Sequence, residues 1–222
     1  MANIKNFINL LILITISMTV AGCKPKEQTP CGFVQNVYGQ RISWKTREPI
    51  DIVINTEVPA QLRPAIYRAA KTWEDQIGQK LFNIIENSSQ ASSGPSKDGK
   101  NGIYFLSTWE ADRKSEQGRT SVYWAADQIM EADIRINASQ FSFYDKDHSA
   151  LVLARSTDGT VSAYASQDGY NFEALILHEL GHLIGLKHSE LSASVMATHL
   201  SAYTDRVVLS DTDIQSVQCV YK

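Results

Sequence analysis

The sequence is poor in the residues and motifs from which several common kinds of site are built. It has three cysteines and five histidines among its 222 residues. A glycine-rich phosphate loop, a serine-centred nucleophile elbow and an internal repeat are all absent from it. These absences argue against a P-loop protein, an α/β-hydrolase and a repeat protein. The formal net charge of −3 at pH 7 argues against a nucleic acid as a partner.

What is present is the length and composition of one folded domain. The hydrophobic fraction is 43% and the charged fraction is 20%, which is ordinary for a soluble globular protein. With 222 residues the chain is long enough to bury a sizeable core. The informative features are therefore the few places where its histidines, cysteines and glycines fall.

Hydrophobic periodicity predicts a mixture of strands and helices. Alternating apolar residues predict strands over residues 49–55, 81–85, 103–106, 119–125 and 131–137. A helical spacing of apolar residues predicts a helix over 62–77 that ends at Gly78. Another helix is expected to begin near residues 168–172, with Asp168 or Asn171 as its cap. Ser210 and Asp213 open the last helix as a capping-like pair.

The first 23 residues differ from the rest of the chain. Lys5 gives a positive start, residues 7–20 are largely apolar, and the tetrapeptide V-A-G-C ends at Cys23. This pattern resembles a bacterial lipobox, so we expect a signal peptide over 1–22 and a lipid on Cys23. Lys24 rather than an aspartate follows the cysteine, which favours the outer membrane of the cell envelope, on its periplasmic or surface face. An ordinary signal peptide and an uncleaved anchor stay open as alternatives.

Three of the five histidines fall within one short stretch of sequence. Residues four apart lie on the same face of a helix, so His178 and His182 present two imidazoles to one small ion. Glu179 lies where it can reach a metal-bound water, and Gly185 permits a turn that returns His188 as a third ligand. Three nitrogen ligands leave one position of a tetrahedral zinc open, which a catalytic zinc requires. The alternative is an amphipathic helix that carries histidines by chance.

The complete pattern H-E-x-x-H-x-x-G-x-x-H is the signature of metzincin zinc peptidases. Over about residues 48–222 the chain resembles the matrixins, the matrix metalloproteinase group within the metzincins. Residues 209–221 are similar to the closing helix of that family, and residues 133–137 resemble the strand before its zinc helix. The resemblance implies an α+β, zincin-like fold. Its sheet would be mixed and mostly parallel, with five strands including an antiparallel edge strand, and it would carry three main helices.

The resemblance also implies roles for single residues. Three histidines would bind one catalytic Zn²⁺, Glu179 would be the general base, and Met196 would form the methionine turn beneath the metal. A peptide or protein substrate would pair with the edge strand as an added antiparallel strand. The residues expected along that edge are Thr120, Ser121, Val122, Tyr123 and Trp124.

The function expected from these features is that of a monomeric zinc-dependent endopeptidase tethered to a bacterial membrane. The catalytic domain would span residues 48–222, and residues 23–47 would form the lipidated cysteine, a tether and an N-terminal segment. Two alternatives stay open. One is a non-catalytic zinc-binding surface lipoprotein, and the other is an amidase that acts on cell-wall peptides.

Two further features leave alternatives open. Outside the cytoplasm, Cys31 and Cys219 favour a disulfide, although Cys31 also resembles the switch thiol of matrixin propeptides. The segment 145–148 has carboxylates two residues apart, which suggests a structural calcium ion. It lacks the glycine and the closing glutamate of an EF-hand loop, so calcium is unsupported and a solvated acidic turn is favoured.

Overall fold

The computed structural model describes residues 25–45, 48–86, 94–146, 151–153, 155, 158–160 and 168–222. The predicted signal peptide over 1–22, the predicted lipidation site Cys23, and Asp147 and His148 of the calcium segment lie outside these residues. Within the described ranges, no helix combines the length and the apolar character needed to cross a bilayer.

A five-stranded mixed sheet forms one layer of the fold. Its strands are β1 (Ile50–Ile54), β2 (Phe82–Ile85), β3 (Gly102–Leu106), β4 (Gly118–Ala125) and β5 (Gln128–Asn137). They lie in the order β2-β1-β3-β5-β4. β1 pairs in parallel with β2 and β3, β3 pairs in parallel with β5, and β4 pairs antiparallel with β5. The predicted sheet, mostly parallel with one antiparallel edge strand, is confirmed.

Three helices complete the α+β fold, as predicted: α1 (Arg63–Ile77), α2 (Phe172–Leu183) and α3 (Asp211–Tyr221). α1 ends at Gly78, whose φ of 70° is a left-handed conformation that glycine adopts readily. Trp73 of α1 is fully buried, and its indole N–H donates to the carbonyl oxygen of Leu177 in α2 at 2.9 Å. One continuous cluster of buried side chains joins α1 and α2 to the sheet.

A second, two-stranded sheet precedes α2 and was not predicted from the sequence. It pairs β6 (Ser142–Tyr144) in parallel with β7 (Gly169–Asn171). Asn171 ends β7 and is also the N-cap of α2, because its side-chain oxygen accepts from the backbone N–H of Ala174 at 2.9 Å. Of the two candidate caps, Asn171 is the one used, and β7 fixes the point at which the helix begins.

A disulfide joins the start of the described chain to its last helix. Cys31 bonds to Cys219 across a sequence separation of 188 residues. In the loop-entropy model, closing so long a loop stabilises the fold by about 5 kcal/mol. With its sulfur in the disulfide, Cys31 has no thiol to place on a metal. Phe33, Ile42 and Trp44, which the sequence analysis placed outside the catalytic domain, are buried in the core.

Candidate metal centre

The helix α2 and the turn that follows it bring three imidazoles together. Nε2 of His182 lies 3.0 Å from Nε2 of His178 and 3.1 Å from Nε2 of His188. Among the described residues, these three form the one group of potential metal ligands whose ligand atoms all lie within 4.8 Å of one another. Tetrahedral zinc–nitrogen bonds of about 2.0–2.1 Å separate the nitrogens by about 3.3 Å, so the three residues fit a zinc ion with small movements.

Backbone carbonyls determine which nitrogen of two of the rings faces the centre. Nδ1 of His178 donates to the carbonyl oxygen of Val195 at 2.8 Å, and Nδ1 of His182 donates to that of Leu186 at 2.8 Å. A carbonyl oxygen only accepts, so each neutral ring carries its proton on Nδ1. The lone pair is then on Nε2, where a metal can use it.

Burial keeps the three rings neutral. Burial, with the neighbouring His182, lowers the pKa of His178 to about 3. Burial also lowers the pKa values of His182 and His188 below the ordinary value of 6.5. Protons therefore do not compete for these nitrogens at neutral pH. Because the unfolded chain binds protons at these histidines below about pH 6.5, acid destabilises the metal-free fold.

The turn that carries His188 is held from the other end of the chain. It depends on Gly185, which has a φ of 105° and no room for a Cβ beside the carbonyl oxygen of Ile42. The N–H of Val34 donates to the Gly185 carbonyl, and the N–H of Lys187 donates to the carbonyl of Gly32, both at 2.9 Å. This pairing of residues 32–34 with the turn was not predicted, because pairing between such distant segments leaves no local pattern in the sequence.

The catalytic-base candidate Glu179 lies on α2 next to the first ligand. Its carboxylate oxygen Oε2 accepts from the Thr120 hydroxyl at 2.6 Å. Burial raises the pKa of Glu179 to about 7, against the opposite effect of the Thr120 hydrogen bond. A pKa close to neutrality suits a group that takes up a proton and gives it back. Gly118 makes room for the carboxylate, because a Cβ there would lie 2.9 Å from Oε1.

Met196 lies beneath the helix, in a turn that α3 holds in place. It is 2% exposed and packs against Gly181, where a Cβ would overlap the Met196 sulfur. The buried carboxylate of Asp213 accepts from the N–H of Val195 at 3.0 Å and from the Ser194 hydroxyl. The Val195 peptide thus accepts from His178 on one side and donates to Asp213 on the other. The contact of Gly181 with Met196 and the contacts of Asp213 with the methionine turn were not apparent from the sequence, which indicated Asp213 only as the capping partner of Ser210.

A cavity of about 850 Å³ runs past the three histidines along β4. Of the five residues expected along the substrate edge, Thr120, Val122 and Trp124 line the cavity. Ser121 and Tyr123 are not among the described residues that line it, because alternate side chains of a strand point to opposite faces. β4 is the last strand in the sheet order, so one of its edges has no partner strand among the described residues.

The segment considered for calcium has one carboxylate within the described residues. Asp145 forms an ion pair with Arg68, which also pairs with Glu173 at 2.5 Å. The Asp145 charge is therefore compensated by a guanidinium, and the described residues offer no metal group at this place.

Comparison with known proteins identifies the family signature across most of the chain. The family model described as matrixin, peptidase M10, matches residues 44–222. Metalloendoproteinase 2-MMP of Arabidopsis thaliana is 31% identical over 70 residues, which are 32% of this chain and 18% of that protein. The aligned segment is thus less than a fifth of the length of that relative.

The contact between Gly181 and Met196 can be tested by adding one methyl group. Alanine normally stabilises a helix relative to glycine, but Gly181→Ala forces the methionine turn away and should cost about 1–3 kcal/mol. Zinc affinity should fall as well, because the same turn carries the carbonyl that orients His178. Thermal unfolding and zinc titration measure the two effects. Gly94→Ala, where a Cβ meets nothing within 4 Å, is the matched control, and a Gly181→Ala protein as stable as the parent would contradict this packing.

Proposed function

The chain belongs to the matrixin family, and from that premise we propose that it is a zinc-dependent endopeptidase. The observation that carries the proposal is the convergence of three neutral imidazole nitrogens beside a buried carboxylate, at the wall of an open cleft. A structural zinc site would use up all four ligand positions. Here three histidines leave one position for water or substrate, next to a residue able to move a proton.

The residues of the chain have separate tasks in peptide hydrolysis. His178, His182 and His188 would hold the zinc, which when bound supplies a Lewis acid that activates water and stabilises negative charge on the scissile carbonyl. Glu179 takes the proton from the attacking water and delivers it to the leaving amine. Its Oε2 is held by Thr120, so Oε1 is the atom left to move the proton.

The cleft supports an extended peptide as the substrate. A peptide that adds to the free edge of β4 gains main-chain hydrogen bonds whatever its sequence, and its alternate side chains enter the cavity. The apolar side chains of Val122 and Trp124 lie along this path. This arrangement favours cleavage within a chain over removal of single terminal residues.

The proposal predicts that Glu179→Ala separates metal binding from catalysis. The variant should keep one zinc per chain, since the three imidazoles remain. Its cleavage rate should fall by about 10²–10⁴-fold, because the group that transfers the proton is missing. The measurement is a mass-spectrometric digest of a proteome-derived peptide library, with zinc content determined in parallel. Glu57→Ala, which removes an exposed carboxylate that does not line the cavity, is the control.

Full cleavage by Glu179→Ala would contradict the mechanism. Stoichiometric zinc in the parent protein without cleavage of any library peptide would instead support a non-catalytic zinc-binding protein. A chelator-treated sample distinguishes metal-dependent cleavage from a contaminating protease.

We further propose that the protein is anchored in the outer membrane of a bacterial cell envelope by a lipid on Cys23. The support is the sequence alone: a positive start, an apolar run and small residues before the cysteine.

Cys23→Ser should release the protein from the membrane fraction and abolish labelling with a fatty-acid analogue. Gly22→Ala, which keeps a small residue, is the control. Retention of Cys23→Ser in the membrane fraction would remove the lipid anchor.

A further inference from the structure

We propose that this peptidase selects an acidic side chain on the carboxyl side of the bond it cleaves, and that Arg206 is the residue that selects it. This inference rests on the proposed endopeptidase function and adds a substrate class to it. Its basis is a cation on the cavity wall that lacks a carboxylate partner within the described part of the chain.

The position of Arg206 relative to the cleaved bond follows from the direction of β4. That strand runs from Gly118 towards Ala125, so a peptide paired antiparallel to it runs the opposite way. The portion after the cleaved bond then lies at the Gly118 end. The segment that carries Arg206 is at this end, because the carbonyl of Leu200 accepts from the side chain of Gln117 at 3.0 Å.

The cavity wall contains four residues with formal charges, and three of these charges are accounted for. Glu116 and Arg119 form an ion pair, with Nη2 of Arg119 lying 2.6 Å from Oε2 of Glu116. Glu179 is the proposed base. Arg206 is the fourth. None of the ion pairs between described residues includes it, so it leaves a positive charge on the wall.

Hydrogen bonds to the backbone hold this guanidinium in place without neutralising it. Nη1 donates to the carbonyl of His199 at 2.9 Å, and Nη2 donates to that of Ala197 at 3.2 Å. A guanidinium has five N–H donors, so others remain for a ligand. Partial burial lowers the pKa of Arg206 despite the opposing effect of Asp213, as expected for a cation that its surroundings compensate incompletely.

The rest of this wall suits the stem of a glutamate side chain. Apolar residues line the same cavity as Arg206 and can contact methylene groups: Phe141, Tyr170, Leu175 and Leu200. A carboxylate at the end of the stem can accept two parallel N–H bonds from a guanidinium, and this pairing is stronger than a neutral hydrogen bond. An apolar side chain in the same place would cover the cation without compensating its charge, so a site of this kind discriminates against it.

The test compares three peptides that differ only in the residue after the cleaved bond, which is glutamate, glutamine or leucine. Glutamine matches glutamate in size but lacks the charge. Zinc-loaded full-length protein should cleave the glutamate peptide with a kcat/KM at least about tenfold above that of the glutamine peptide, as expected for a charged hydrogen bond. The ratio should fall to about one in Arg206→Met and survive in part in Arg206→Lys, which keeps the charge.

The ratio separates substrate selection from a structural role of Arg206. If Arg206 only supports the wall, Arg206→Met lowers cleavage of all three peptides by the same factor and the ratio stays at its original value. That result would overturn the proposal, as would equal cleavage of the glutamate and glutamine peptides by the parent protein. Cleavage of the leucine peptide in either case would leave the endopeptidase function standing.

Binding provides a second measurement that does not need cleavage. Labelled glutamate and glutamine peptides are titrated into zinc-loaded Glu179→Ala protein and followed by fluorescence anisotropy. The glutamate peptide should bind about tenfold tighter, and the difference should vanish in the double variant Glu179→Ala/Arg206→Met. Equal affinities in the single variant would overturn the proposal even if no peptide is ever cleaved.

Discussion

Two hydrogen bonds from imidazole Nδ1 atoms to backbone carbonyls are the interactions on which the metal centre depends. They place the protons of His178 and His182 away from the centre and so leave both Nε2 lone pairs facing it. The two carbonyls belong to Val195 and Leu186, outside α2. Helical spacing aligns the rings, but tertiary structure decides which atom they present.

The rest of the fold can be understood as support for these two carbonyls. Asp213 of α3 holds the Val195 peptide. Pairing of the segment 32–34 with the turn after α2 holds the Leu186 region, and the disulfide between Cys31 and Cys219 joins that segment to α3. Both supports therefore converge on the last helix. If either carbonyl moved, the imidazole that donates to it would no longer be held in position. Contacts distant from the metal therefore contribute to the affinity of the site for zinc.

Much of this arrangement could be predicted from the sequence, wherever the signal is local. Alternation predicted the five strands of the sheet, apolar spacing predicted α1, and Gly78 marked its end. Ser210 and Asp213 do form a capping box at the start of α3. The sequence did not predict β7, the room that Gly118 leaves for Glu179, or the charge that Arg206 places on the cavity wall. Each of these depends on contacts between segments far apart in the chain, which no short window contains.

X-ray absorption spectroscopy at the zinc edge, on protein loaded with one equivalent of zinc, measures the ligands of the metal centre directly. We expect three imidazole nitrogens at about 2.0–2.1 Å and one further oxygen or nitrogen ligand in a tetrahedral shell. Outer-shell scattering typical of imidazole should identify the three rings. A sulfur ligand at about 2.3 Å, or two or fewer imidazoles, would contradict this ligand set.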